Sequence, residues 1–233
     1  MSETPLLQIT TLRYYLFGLA LAPIFMAFFG TSWWGMGELS QVLPGGNLTS
    51  LIIFILVDII LLAGAIWLIL RARQLPVDRS PAAKALGKEK GRYYGRWFGS
   101  IFGLEIIVIL IANILIYKVF KRPAYSMPVI AIIVGLHFLP LASVFQVRAY
   151  YITGTLVALV GVVVMLAIPA TQTFGSARAW DVVLGITCSI ILWITGGFTL
   201  LMARNKLQQT QVLLAGIHDT APPAGLIAGD AAL

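Results

Sequence analysis

Long apolar runs separated by short polar segments dominate this chain. Six of the runs are close to the length that a helix needs to cross a hydrocarbon layer about 30 Å thick. Proline and glycine fall between several of them, as at Pro76, Pro123 and Gly175, where turns are expected. The pattern predicts six spans: Tyr14–Trp33, Leu51–Leu70, Trp97–Tyr117, Met127–Val147, Ile152–Ala170 and Val182–Met202.

The runs are apolar nearly all round, which argues against a soluble helical bundle. A helix of a soluble bundle keeps a polar stripe, and "LIIFILVDIILLAGAIWLIL" has none. The whole chain is 59% hydrophobic and 11% charged, whereas soluble domains have about 25% charged residues. We therefore expect an all-α polytopic membrane protein whose main partner is the lipid bilayer.

Basic residues between the second and third runs predict the orientation. This segment has only two acidic residues, Asp78 and Glu89. Its basic residues are Arg71, Arg73, Arg79, Lys84, Lys88, Lys90, Arg92 and Arg96. Loops rich in lysine and arginine stay cytoplasmic, so we expect this loop and both termini inside, in the bacterial cytoplasmic (inner) membrane. On the other side, Lys118, Lys121 and Arg122 are an exception to the rule.

The net charge of +7 does not indicate a nucleic-acid partner. The basic residues lie between apolar runs, and no nucleic-acid-binding motif accompanies them. We expect residues 1–204 to form the transmembrane domain and residues 205–233 a partly disordered cytoplasmic tail. The sequence leaves a homo-oligomer open.

One short phrase occurs three times: "RYYLFGLA" from Arg13, "RYYGRWFG" from Arg92 and "RAYYITGT" from Arg148. Each copy precedes an odd-numbered span, so all three are expected at the cytoplasmic interface. Tyrosine and arginine suit that level, and an ordinary aromatic belt explains the phrase. The alternative is a chain of three tandem helical hairpins that arose by duplication.

Three ionisable residues fall inside the predicted spans: Asp58, Glu105 and His137. Such residues cost roughly 2.5 to 3.5 kcal/mol at the centre of a membrane helix. Counting the helical rise places Asp58 and Glu105 about 12 Å, and His137 about 15 Å, from one end of their spans. All three are therefore expected in a common layer near the midplane.

The shared depth predicts a proton-responsive or ion-binding site. Burial favours the neutral form of a carboxylic acid, and an imidazole exchanges protons near neutral pH. Asn113 lies two turns from Glu105 on the same broad face and extends the polar path. The alternative is structural, because such groups also hold helices together by hydrogen bonds.

Small residues recur three or four residues apart in two spans and predict close helix packing. They are Gly95, Gly99 and Gly103 entering the third span, and Gly154, Ala158 and Gly161 near the fifth.

The sequence carries no motif for a nucleotide, haem or serine-nucleophile site, and it has a single cysteine, Cys188. We expect no metal and no cofactor. The leading hypothesis is a protein that binds or transports a small solute or ion, with protons involved, through Asp58, Glu105, His137 and Asn113. The alternative is a non-catalytic membrane subunit. An enzyme acting on lipid is a third hypothesis, in which the segment Arg71–Arg96 gathers anionic headgroups.

Overall fold

The computed structural model describes residues 5–37, 46–76 and 80–220. Six α-helices make up nearly all of this part. They are α1 (Pro5–Gly37), α2 (Gly46–Arg73), α3 (Pro81–Ile114), α4 (Ser126–Phe145), α5 (Ala149–Ala167) and α6 (Ala179–Thr220). Each contains a stretch long and apolar enough to cross a membrane. The prediction of an all-α polytopic membrane protein is confirmed.

Short irregular elements connect the later helices. A π-helical turn, Leu115–Val119, continues α3, and a 3₁₀ turn, Pro123–Tyr125, leads into α4. Between α5 and α6 the strands β1 (Thr173–Phe174) and β2 (Ala177–Arg178) form a small antiparallel hairpin. Gly175 turns this hairpin with a φ of 60°, a conformation that glycine adopts without strain.

The third helix begins much earlier than predicted. Most of the segment Arg71–Arg96, which was expected to be a loop, is the first four turns of α3. The helix starts because the Ser80 side chain accepts a hydrogen bond from the Ala83 amide at 3.2 Å. Pro81 follows at the first helical position, where its missing N–H costs nothing. The expectation of a loop here was wrong.

Other helix ends also differ from prediction, and α1 begins at Pro5 rather than Tyr14. α5 ends at Ala167 rather than Ala170, because Pro169 cannot continue the helical hydrogen bonds. α6 runs past Met202 as far as Thr220. The prediction of a disordered end falls on residues 221–233, which lie outside the described residues.

The six helices alternate in direction, so one end of the bundle collects most of the basic residues. This end contains the start of α1, α3 and α5 and the end of α2, α4 and α6. We call it the basic end, since it carries Arg13, Arg71, Arg92, Arg148 and Arg204.

α1 and α6 form the centre of the bundle, and α2 and α3 lie outside. In their most apolar windows, 50% of α1 and 56% of α6 is buried, against 17% of α2 and α3. The Ser189 hydroxyl of α6 lies 2.8 Å from the carbonyl oxygen of Gly30 in α1 and ties the central pair together. α4 packs mainly on α5, and α3 packs mainly on α4.

Glycines bring α4 and α5 into backbone contact. A Cβ at Gly154 would lie 2.5 Å from the Gly135 carbonyl oxygen, and one at Gly161 would lie 2.8 Å from that of Pro128. The predicted close packing of α5 is confirmed. For α3 the prediction was wrong, because a Cβ at Gly95, Gly99 or Gly103 would have no neighbouring atom within 4 Å.

Gly135→Ala is expected to destabilise the protein by about 1–3 kcal/mol, because the new methyl group forces the two backbones apart. A Cβ there would meet the Ala158 nitrogen at 2.4 Å and the Gly154 oxygen at 2.6 Å. Thermal unfolding in detergent should show the loss as a drop of about 2–4 °C per kcal/mol. Gly99→Ala is the matched control: it enters open space and should leave the melting temperature unchanged or higher. Equal effects of the two variants would contradict the packing described.

Candidate functional site

A carboxylate and an imidazole meet inside the bundle between α3 and α4. The Glu105 Oε1 and His137 Nδ1 atoms lie 3.1 Å apart, and the side chains are 7% and 15% exposed. Glu105 points inward, whereas its neighbours Leu104 and Ile106 are exposed on the outer surface of α3. The helix therefore turns its single membrane-depth carboxylate towards α4 and its apolar side chains towards lipid.

The second contact of His137 shows where its proton lies. Nδ1 is also 2.7 Å from the carbonyl oxygen of Val134, one turn earlier in α4. A carbonyl oxygen only accepts, so we assign the proton to Nδ1, which is shared between Val134 and Glu105. In this tautomer the other ring nitrogen, Nε2, carries no proton and is the hydrogen-bond acceptor of the ring.

The pair forms part of the wall of a cavity of about 400 Å³. The cavity lies between α1, α3 and α4, and Tyr150 of α5 and Leu192 of α6 complete it. Along α3 it extends from Gly91 to Glu105, about 21 Å at the helical rise. Most of its surface is apolar, and its phenylalanines are Phe25, Phe29, Phe98, Phe102, Phe138 and Phe145.

Glycines on α1 and α3, which have no side chains, leave the space that the cavity occupies. Gly18, Gly91 and Gly95 line the cavity, and a Cβ at each would have no neighbouring atom within 4 Å. Aromatic contacts hold the walls in place at this level: Phe25 and Phe98 lie 5.3 Å apart between ring centroids. Glycine in α3 thus keeps space open here instead of bringing helices together.

The three copies of the arginine-tyrosine phrase converge on the basic end of the cavity. Tyr14 and Tyr15 of the first copy, Tyr94 of the second and Tyr150 of the third all line it. The remaining two tyrosines are exposed, and the Tyr151 hydroxyl lies 2.7 Å from that of Ser143. Sequence reasoning found the repetition but missed this convergence, which depends on how the helices are arranged.

The cavity is open between α1 and α3. Three of its lining residues on α1 remain substantially exposed: Tyr14 at 40%, Leu21 at 51% and Phe25 at 38%. α3 makes few contacts with α1. This side of the cavity wall is therefore accessible from outside the bundle.

Residues 100–195 match the model of a family of unknown function, DUF7010. The matched segment is less than half of the chain, and it includes both Glu105 and His137. Comparisons with curated proteins and with solved structures gave no match. The similarity therefore assigns no activity to the chain.

Asp58 lies in a different contact from the other two ionisable residues. Its Oδ2 accepts a hydrogen bond from the Thr31 hydroxyl of α1. Its Oδ1 is buried and has no hydrogen-bond partner among the described residues. The residues that line the cavity do not include Asp58, within the part of the chain that the structure describes.

Asn113 joins the far ends of α3 and α4. Its amide nitrogen donates to the Ile109 carbonyl oxygen at 3.0 Å, and its amide oxygen accepts from the Ser126 hydroxyl at 2.5 Å. Of the four predicted site residues, the structure thus brings together Glu105 and His137. Over residues 5–37, 46–76 and 80–220, no group of three histidine, cysteine or acidic side chains is placed to hold a metal ion.

Proposed function

We propose that this protein binds a small, mainly apolar organic cation in its aromatic cavity and moves it through the membrane in exchange for a proton. The observation that carries the proposal is the 3.1 Å contact between Glu105 and His137 in the wall of a cavity of about 400 Å³. The six membrane-length helices provide the setting.

The chemistry of the lining favours a cation over an anion or a sugar. Among the described residues that line the cavity, Glu105 is the one carboxylate, and none is a lysine or an arginine. Aromatic faces attract positive charge, most strongly where water is excluded. The apolar remainder of the wall offers few partners to a solute with many hydroxyl groups, which would lose its hydrogen bonds to water on entry.

The need for charge neutrality within the site explains why a proton and a cation exchange. A net charge is costly in a low-dielectric interior. When the Glu105–His137 pair releases a proton, from the carboxyl or from Nε2 of His137, the site gains one negative charge. A bound monovalent cation restores the balance, and its departure lets the proton return. Proton and cation therefore occupy the site in turn.

The basic end of the bundle is assigned to the cytoplasm, on the excess of lysine and arginine there. The cavity then opens in the cytoplasmic half of the membrane, where its four lining tyrosines lie at the level of the interface. Protons entering the cell would drive the cation out.

Uptake by proteoliposomes tests the proposal. Purified protein is reconstituted into vesicles that are acidic inside, with the membrane potential clamped by equal potassium and valinomycin, and ethidium is added outside. Ethidium should accumulate in these vesicles, and nigericin, which dissipates the pH gradient, should release it. Equal uptake by protein-free vesicles, or uptake that nigericin does not affect, would contradict proton exchange and favour the non-catalytic subunit.

A further inference from the structure

The outward face of α3 near the basic end forms a second groove, separate from the cavity. Lys88, Arg92 and Arg96 recur at every fourth position along it, and Tyr93 and Trp97 lie beside them. The groove has a volume of about 420 Å³, and these five side chains are exposed. A spacing of four residues places the three basic groups one above another on one side of the helix.

The opposite face of the same turns is the one that packs against the bundle. Gly87 is buried against Tyr14, and the rings of Tyr94 and Phe145 stack at 5.7 Å between centroids. The basic stripe is therefore turned away from the protein. It faces the surroundings of the bundle next to the point at which the apolar part of α3 begins.

The basic stripe lies at the depth of the lipid headgroups. The apolar part of α3 begins at Trp97, and each further four residues add about 6 Å. The headgroup layer on each side of a bilayer is roughly 5–8 Å thick. Arg96 and Arg92 thus lie at headgroup level, and Lys88, about 13.5 Å beyond Trp97 at the helical rise, reaches the layer with its long side chain. Tryptophan and tyrosine favour this same level.

The stripe has an excess of positive charge. Among the described residues that line the groove, Glu89 is the one acidic side chain. The ion pairs seen between described residues, Glu105 with His137 and Arg178 with Asp181, do not involve the stripe. Its arginines are able to hold a phosphate with two parallel N–H donors each.

We propose that Lys88, Arg92 and Arg96 bind the phosphate of an anionic phospholipid, with Tyr93 and Trp97 against its glycerol and upper acyl chains. The site is independent of cation transport through the cavity. It gives the bundle a preferred lipid at one point of its circumference, beyond the general attraction of basic residues to an anionic surface.

Native mass spectrometry of the detergent-purified full chain tests the site. Dioleoylphosphatidylglycerol and dioleoylphosphatidylcholine are titrated separately onto the protein. The wild type should retain phosphatidylglycerol at lower lipid concentration. The triple variant Lys88→Gln/Arg92→Gln/Arg96→Gln should need at least about tenfold more of it, since basic groups near the surface supply the attraction.

The control removes the same charge at the other end of the bundle. Lys118→Gln/Lys121→Gln/Arg122→Gln should bind phosphatidylglycerol as the wild type does. Arg96→Lys keeps the charge but loses the paired N–H donors. The phosphatidylglycerol concentration that it needs should lie between those of the wild type and the triple variant.

Four results would overturn the proposal. The first is equal retention of the two lipids by the wild type, and the second is an equal loss of phosphatidylglycerol binding in both triple variants. The third is displacement of bound phosphatidylglycerol by soluble glycerol phosphate at the same concentration as the lipid. A dimer that only the first triple variant dissociates would also overturn it, because a second copy would then cover the face. Unchanged melting temperatures of the variants show that lost binding is not lost folding.

Discussion

Glu105→Gln is expected to lower proton-driven ethidium uptake by at least about tenfold, the effect of losing some 1.4 kcal/mol of stabilisation on the transport cycle. Glutamine has nearly the same volume, and its carbonyl oxygen accepts the His137 Nδ1–H as the carboxylate does. It carries no charge at any pH, so it offers a cation no counter-charge. Initial uptake rates in proteoliposomes measure the loss, and an unchanged melting temperature shows that the fold is intact.

Asp58→Asn is the matched control for this variant. It makes the same chemical change in another membrane-depth carboxyl, and its amide oxygen keeps the hydrogen bond from Thr31. Because Asp58 lies outside the cavity lining, ethidium uptake should stay close to that of the wild type. Equal losses in the two variants would mean that the Glu105–His137 contact has no special role, and a functional Glu105→Gln protein would refute proton exchange there.

Gly95→Phe is expected to block the cavity and reduce ethidium uptake by at least about fivefold, close to 1 kcal/mol. Gly95 lines the cavity, and a Cβ there would have no atom within 4 Å. The new ring therefore occupies the space of the solute without displacing a helix. Uptake and ethidium binding, followed by fluorescence titration, should fall together, while the melting temperature stays the same.

Gly99→Phe, one turn further along α3, provides the comparison. A Cβ at Gly99 also has no neighbour within 4 Å, and Gly99 is not among the lining residues. The ring would project into lipid, and uptake should be retained. If both variants transport normally, the cavity is not the route. If both fail, the loss comes from a bulky residue in α3 and not from filling the cavity.

The fold was predictable from hydrophobicity because few backbone conformations are stable in lipid. A chain that crosses hydrocarbon must satisfy its own N–H and C=O groups, so an apolar run of sufficient length has to be a helix. The start of α3 was missed for the complementary reason. Its first turns are charged and carry no hydrophobic signal, although Ser80 followed by Pro81 is a recognisable helix start.

The site was predictable only in its individual residues. The cost of burying a charge singled out Asp58, Glu105 and His137 one at a time. Which of them meet depends on how each helix is rotated about its axis, and packing decides that rotation. Glu105 thus faces His137, whereas Asp58 faces Thr31 of α1. The convergence of the tyrosines was not predictable for the same reason. The repeated phrase does not show towards which neighbour each tyrosine side chain points.

The gap between α1 and α3 opens sideways, towards the acyl chains of the surrounding leaflet, so a solute that enters by this gap dissolves in the bilayer first. Its concentration at the entrance is then the aqueous concentration multiplied by its partition coefficient. Among cations that fit equally well, the more lipophilic should saturate transport at lower total dose, and vesicles with more lipid per protein should shift every half-saturation point upward.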